Sequence, residues 1–430
     1  MKIQSLADNF HRYPGGVMKM YRFYALLLLV FLMAGVPAVA GAKDIVIGYS
    51  GPLSGPAAEY GQDCLNGIEM AINEINSRGG IEVAGRRYQF RLEKMDDQVK
   101  PEKALANATL MRREHGAIAI FNPVATTIMP LMKANMEKKN EFLIMAYCAV
   151  PQVSEMGNRL IVTLTSSFTT YAKIAAQEAW EKGWRKCAVV VTAGAYGDAW
   201  RQVFGMEWLK KGGTITVDLA ANYYTRTDFA VPLQQALASD PDFLLIGGPS
   251  ATTALIVEQS RVRGFEGGFV MIDQAKLDDV VPIMQKPLGL EGTIGVAMVR
   301  DIGVPASQEF INNYRQQYKR NANWESVINY TGMYALSRAM VLAGTTSDAF
   351  AIRAAMTRVF PMLGDKYPTE IFAISPGGRF IMPAVVQTMR HGRFTSPNTY
   401  VWWAATEKEF EAVRKLTTIN PARMMWKKDN

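Results

Sequence analysis

Between residues 44 and 272 short apolar runs alternate with longer amphipathic ones, and this order restricts the fold more than any other feature of the chain. The first unit shows the logic. Ile45, Ile47 and Tyr49 alternate as a strand, and a loop containing Gly51, Pro52, Gly55, Pro56 and Gly61 follows. Leu65, Ile68, Ala71, Ile72 and Ile75 then recur at helical spacing. Gly79 and Gly80 stop that helix, because glycine takes the left-handed backbone that a helix exit requires. Strands are predicted next at 88–95, 117–120, 142–145 and 160–164, with helices at 101–114, 126–139 and 168–182. The order continues with strands at 187–191, 214–220, 243–246 and 269–272, separated by helices at 198–210, 229–238 and 252–263. The run 187–191 is apolar throughout, as a parallel strand must be when helices cover both faces of its sheet. The expected class is therefore α/β, built on doubly wound parallel sheets. In such sheets a loop at a strand's carboxyl end is where small ligands bind.

The pattern changes after about residue 288. A strand is predicted at 292–299, then helices at 307–319, 324–343 and 348–359, then strands again at 371–374 and 384–389. The helix pair within 305–343 is the natural closing layer of the first sheet, which makes the domains discontinuous. At 430 residues the chain is long enough for two domains with cores of their own. The expected division is 43–165 plus 296–375 for the first lobe and 166–295 plus 376–405 for the second. Crossings are expected near Thr165, Val296 and Ser375, and residues 406–430 form a C-terminal tail.

The N-terminus addresses the compartment. Residues 25–33, ALLLLVFLM, form an uninterrupted apolar run preceded by Lys19 and Arg22 and followed by Ala38-Val39-Ala40. This is the pattern of a secretory signal peptide spanning residues 1–42, with cleavage after Ala40 or Ala42. An uncleaved anchor is disfavoured because the run is too short to span a bilayer. An exported, soluble protein is expected. The net charge of +8 is partly carried by Lys2, Arg12, Lys19 and Arg22 of the discarded segment, and the remaining basic residues are scattered rather than clustered, which argues against nucleic acid as a partner. Cys64, Cys148 and Cys187 show no C-x-x-C spacing and are expected to be small buried residues.

Catalytic residues are few. His11 lies in the discarded segment, and His115 and His391 fall at a helix end and in a turn. There is no G-x-S-x-G elbow, H-E-x-x-H pair or phosphate-binding G-x-x-x-x-G-K-[ST] loop, and no cluster with metal-ligand spacing. Asp96-Asp97 is more simply a solvated turn than an acid–base pair. No enzyme activity and no cofactor or metal are expected.

Four segments, IGYSGPLSGPAAEYGQDCLNGIEMAINEINSRGGI, YGDAWRQVFGMEWLKKGG, DFAVPLQQALASDPDFLLIGG and EGTIGVAMVR, in this order and spacing resemble the type I periplasmic binding proteins. Within them, the similarity is to the branched-chain amino acid (leucine/isoleucine/valine) branch of the substrate-binding proteins of ABC importers. It runs from about residue 44 to about residue 394. The resemblance implies two α/β lobes joined by three crossovers and closing on a ligand between them. It also implies site residues. Tyr60, before Gly61, stands where the family places an aromatic that covers the ligand. In FNPVATTIMP, Asn122, Ala125, Thr126 and Thr127 occupy the loop that gives hydroxyls and backbone N–H groups to a ligand carboxylate, at a helix N-terminus whose dipole favours an anion. In AYCAVPQV, Tyr147, Cys148, Ala149 and Val150 occupy a second ligand loop, here bulkier and more apolar.

From the second lobe, Tyr196 matches a tyrosine that closes over the ligand, and Ser250 follows Gly247-Gly248 at another contact loop. Amino acid binders place an acid after the ninth strand, against the ligand's ammonium. The sequence there is MIDQAK, aligning Gln274 with that acid and Asp273 beside it. A glutamine cannot neutralise an ammonium, so unless Asp273 points inward the expected ligand lacks one. The implied function is capture of an amino acid or related carboxylate or amide for delivery to an ABC permease in the inner membrane. The alternatives are an aromatic-acid or amide sensor and a secreted hydrolase.

Overall fold

The computed structural model describes residues 43–426; the signal-peptide reading of residues 1–42 and the end of the chain from residue 427 lie outside the described residues. The first lobe begins with β1 (Lys43–Gly51), α1 (Ala58–Ser77), the hairpin β2 (Ile81–Val83) and β3 (Arg86–Asp96), and α2 (Pro101–Arg113). It continues through β4 (Ala119–Asn122), α3 (Ala125–Ala134), β5 (Leu143–Ala146), the short α4 (Gln152–Glu155) and β6 (Ile161–Thr163). Among the described residues these strands form a six-stranded sheet in the order β2-β3-β1-β4-β5-β6, with β1, β4, β5 and β6 parallel.

The chain then builds a second sheet. Its elements are α5 (Phe168–Glu181), β7 (Lys186–Thr192), α6 (Ala195–Lys210), β8 (Thr214–Ala221), α7 (Ala230–Ala238) and β9 (Phe243–Gly247). They are followed by α8 (Ser250–Val262), β10 (Gly268–Met271), α9 (Leu277–Ile283) and β11 (Thr293–Val296). Helices α10 (Pro305–Tyr318), α11 (Trp324–Ala343) and α12 (Ala349–Ala355) return to the first lobe, where residues of all three share one core with strands β1, β4 and β5. After the hairpin β12 (Ala373–Ile374) and β13 (Phe380–Ile381), the chain crosses again into β14 (Ala384–Arg390), β15 (Arg393–Phe394) and β16 (Asn398–Tyr400). It ends in α13 (Glu407–Leu416) and β17 (Met424–Met425).

In the second sheet β8, β7, β9, β10 and β11 are parallel, whereas β14 and β16 continue it antiparallel. The architecture is thus the expected pair of doubly wound α/β lobes, with an antiparallel extension on the second sheet. Every residue of β4, β5, β9, β10 and β11 is buried, which is why these strands read as apolar runs rather than alternations.

Three connections carry the chain between the sheets, and they lie side by side. The Ser166 hydroxyl donates to the Met382 carbonyl at 3.2 Å, and the Ala297 N–H to the Val385 carbonyl at 2.9 Å. The strand expected at 292–299 therefore ends early: beyond Val296 the backbone serves the crossing, and Val299 N–H turns to the Asp278 carboxylate at 3.1 Å. The crossing expected near Ser375 comes later, because residues 373–381 form the hairpin β12–β13, with Thr163 bridging to Arg379 in the first lobe.

The stretch expected as a tail is built into the fold. Phe410 of α13 stacks on Trp426 with ring centroids 5.8 Å apart, and β17 adds to the sheet edge beside β16. The Thr418 N–H and hydroxyl both donate to the buried Glu370, at 2.8 and 2.9 Å. Aromatic packing and these bonds hold a segment whose composition alone gave no strand or core signal.

Candidate functional site

Helix α11 explains how one carboxylate at the lobe boundary is positioned. Asn323 caps it in a reciprocal capping box with Ser326, so the helix starts abruptly and holds Glu325 in its first turn. The cap is fixed from α1: Asp63 accepts from Asn323 Nδ2, Tyr314 OH and Arg320 Nε, each at 2.9 Å. The helices approach so closely that a Cβ at Gly67 would lie 2.2 Å from the Ser326 carbonyl oxygen, so only glycine fits there. Trp324 Nε1 donates to the Ala297 carbonyl at 2.7 Å, tying the same turn to a crossing segment. Glu325 is thereby held at the boundary between the lobes.

Around it the first lobe presents Tyr60 and Tyr147, whose ring centroids are 6.1 Å apart. The Tyr60 hydroxyl donates to the Pro123 carbonyl at 2.8 Å, and Tyr147 OH donates to Glu325 Oε1 at 3.2 Å. The loop after β5 is shaped by a buried arginine. Arg379 donates to the carbonyls of Cys148 (3.1 Å), Val150 (2.7 Å) and Thr165 (3.0 Å), and to Ser154 Oγ (3.1 Å).

The second lobe presents an aromatic shelf. Trp200 stacks on Phe168 at 5.6 Å, and Tyr196 meets the same ring edge-on at 5.9 Å. Asp273 Oδ1 accepts from Trp200 Nε1 at 2.8 Å and from the Tyr196 hydroxyl. Burial, then the Asp273 charge, raises the Tyr196 phenol well above its ordinary value, so it remains a donor at physiological pH. Lys276, at the start of α9, reaches across: its Nζ lies 3.2 Å from Glu325 Oε1 and donates to the Asp273 carbonyl at 2.5 Å. Asn323 Nδ2 makes a second, longer approach across the boundary, 3.5 Å from Asp279.

A family model described as periplasmic binding protein matches residues 44–393. The chain belongs to the periplasmic binding protein family. It is 26% identical over 245 residues to the Leu/Ile/Val-binding protein of Escherichia coli (strain K12), a match covering 56% of this chain and 65% of that relative. The chain thus spans less than two thirds of the length of the curated relatives it matches first. Its fold is similar to that of a branched-chain amino acid transporter substrate-binding protein from Streptococcus pneumoniae in complex with isoleucine. That likeness has a TM-score of 0.70 at 18% identity, covering 83% of this chain and 99% of the other. It is also similar to a solute-binding protein from Rhodopseudomonas palustris BisB5 in complex with 3,4-dihydroxybenzoic acid. Here the TM-score is 0.71 at 17% identity, covering 83% and 97%.

Of the residues assigned to the site from sequence, this periplasmic binding protein brings Tyr60, Tyr147, Cys148, Tyr196 and Asp273 to the boundary between its lobes. The others are arranged differently. Asn122 Oδ1 accepts from Val124 N–H (3.0 Å) and the buried Thr127 hydroxyl (2.8 Å), so both side chains brace the start of α3. Ala125 is half-buried and Thr126 exposed at that helix start. The carbonyls of Cys148 and Val150 are taken by Arg379, Ser250 Oγ accepts from the Lys276 N–H at 3.3 Å, and Gln274 Nε2 donates to Tyr224 OH at 3.3 Å.

Glu325, Lys276, Trp200 and Arg379 were not among the residues read from the sequence. Lys276 stood within the quoted MIDQAK segment, but as an unremarked charge; Glu325 carries only the signature of a helix start.

The cysteines are all buried and unbridged, and burial pushes the Cys148 thiol up to about 11, which leaves it a poor nucleophile. Asp97 is buried as a turn scaffold, accepting from Ser50 Oγ, Asn122 Nδ2 and Val99 N–H. Among the described residues no group of His, Cys, Asp or Glu could hold a metal ion, and no helix is long and apolar enough to cross a membrane.

Proposed function

We propose that this protein is a solute receptor, exported to the periplasm by the segment at residues 1–42. It captures an amino acid or a related small carboxylate or amide between its lobes, presents it to an ABC permease and carries out no reaction. One observation supports this reading above the others: the wall that carries Tyr60, Tyr147 and Glu325 is joined to the wall that carries Tyr196, Asp273 and Lys276 by the Lys276–Glu325 ion pair. Contacts drawn from both lobes favour a closed state when a ligand adds to them, and the adjoining crossing segments are the natural hinge. The relatives support the ligand class, since one is named for leucine, isoleucine and valine and the similar structures hold isoleucine and 3,4-dihydroxybenzoic acid. The buried, high-pKa cysteine and the structural role of Asp97 argue against a hydrolase.

A thermal-shift screen over amino acids, aromatic acids, dicarboxylates and amides identifies the class. Calorimetry on the best compound then compares the protein with Tyr60→Ala and Tyr196→Ala. Each variant is expected to bind at least about 10-fold more weakly while unfolding cooperatively. Unchanged affinity in both would overturn the site.

A further inference from the structure

We infer that Lys276 determines the specificity of the interlobe site: its ammonium occupies the place against Glu325 where a ligand's amine would be neutralised. The site therefore selects small organic acids or amides that carry no amine. This rests on the receptor reading above and narrows its ligand.

The carboxylates of Asp273, Asp279 and Glu325 stand at the lobe boundary; burial raises that of Asp279 to about 7, which leaves Asp273 and Glu325 as the two better able to neutralise a cationic ligand group. Asp273 Oδ1 accepts from two neutral donors, the Tyr196 hydroxyl and Trp200 Nε1, and the Asp273 charge is close enough to Lys276 to favour that ammonium, so this carboxylate too already faces a cation. Glu325 Oε1 is engaged by Tyr147 OH and by Lys276 Nζ, each at 3.2 Å. The lysine is a fixed part of the site. Its side chain is 11% exposed and that of Glu325 4%. Its backbone N–H is held by Ser250 Oγ, and its Nζ is also held by the Asp273 carbonyl. Burial disfavours the ammonium, but the charges of Glu325 and Asp273 outweigh that and hold it above the ordinary lysine range, so it stays charged. A ligand amine brought to Glu325 would sit beside this buried like charge, which like charges a few ångströms apart resist strongly.

The same geometry indicates what the ligand offers instead. Glu325 Oε2 and Gln274 Oε1 are buried and have no hydrogen-bond partner among the described residues. Buried acceptors of this kind call for a donor. With Lys276 already supplying the positive charge, a neutral hydroxyl or amide N–H satisfies them without removing a second cation from water.

Titration calorimetry on the protein can use two pairs of probes that differ only in whether the donor is a neutral hydroxyl or an amine: 2-hydroxy-4-methylpentanoate against L-leucine, and 2-hydroxy-3-phenylpropanoate against L-phenylalanine. In at least one pair the amine-free acid is expected to bind at least about 10-fold tighter. Lys276→Arg should keep that preference. The double variant Lys276→Met, Glu325→Gln leaves neither charge buried alone, and should bring the ratio to within about threefold. Equal or tighter binding of the amino acid in both pairs overturns the inference, as does a folded double variant that keeps the original ratio. If none of the four binds, the best compound of the wider screen decides. An amine on it overturns the inference and leaves the receptor reading standing, and an amine-free compound supports both. No binding of any compound overturns both.

Discussion

In the first lobe the loops after β4 and β5 use their polar atoms on themselves, whereas in the second lobe the loop after β10 sends its charge across the boundary. Asn122 and Thr127 close a small network at the start of α3, and Arg379 takes up the carbonyls of Cys148, Val150 and Thr165. Lys276 instead reaches Glu325 of the other lobe, Asp273 anchors it through a backbone carbonyl, and Gln274 keeps a buried acceptor open. The first wall is thus preformed by its own hydrogen bonds, and the second, on the reading proposed above, carries the groups that discriminate between ligands. Preformed walls keep affinity from being lost to loop ordering.

The first wall depends most on Arg379. Arg379→Ala strands several buried carbonyls at once, and urea unfolding is expected to show a loss of about 3–5 kcal/mol. A smaller loss would mean that the loop after β5 is held by something else.

Asp279, near the cross-lobe contacts, gives a pH signature. Burial, then the charges of Glu325 and Asp63, raise its carboxyl from 3.8 to about 7. A carboxyl raised by folding stabilises the fold fully below its unfolded value and loses that contribution as pH climbs through its folded one. Stability should therefore decline between about pH 4 and pH 7, on the order of 2 kcal/mol after discounting for partial exposure. Asp279→Asn should flatten that decline in thermal melts taken across the range, and an unchanged slope would assign it elsewhere.

Asn122→Ala and Gln274→Ala sharpen the contrast between the walls. The first is expected to cost about 1–2 kcal/mol of stability, because Val124 N–H and the Thr127 hydroxyl lose their acceptor. The second should stay within about 0.5 kcal/mol of the parent in stability while changing affinity for the bound solute. Reversed effects, with Gln274 supporting the fold and Asn122 only the affinity, would exchange the roles of the two walls.

The alternation of buried strands and helices was legible because a strand covered on both faces must be apolar throughout, as at 187–191 and 243–246. The two-lobe arrangement followed from the helices at 305–343 that return to the first sheet. The early end of β11 and the ordered C-terminal segment were not legible, since both depend on partners far along the chain: Val385 for Ala297, and Glu370 for Thr418. The site divides in the same way. Tyr147 and Asp273 stand in recognisable loops after strands, and Tyr60 and Tyr196 in the first turns of the helices that follow such loops. Glu325 lies 178 residues from Tyr147, in a helix start that looks like any exposed cap, and nothing local marks its burial. Charge in a sequence defaults to solvent; only the fold brings Lys276 and Glu325 together.

The central claim is that one ligand is gripped by both walls. Hydrogen–deuterium exchange of the protein, with and without the compound that calorimetry ranks first, tests it most directly. Amides at 147–150 and at 273–276 are expected to gain protection together, over the same range of ligand concentration. Protection confined to one lobe, or gained only outside both segments, would contradict it.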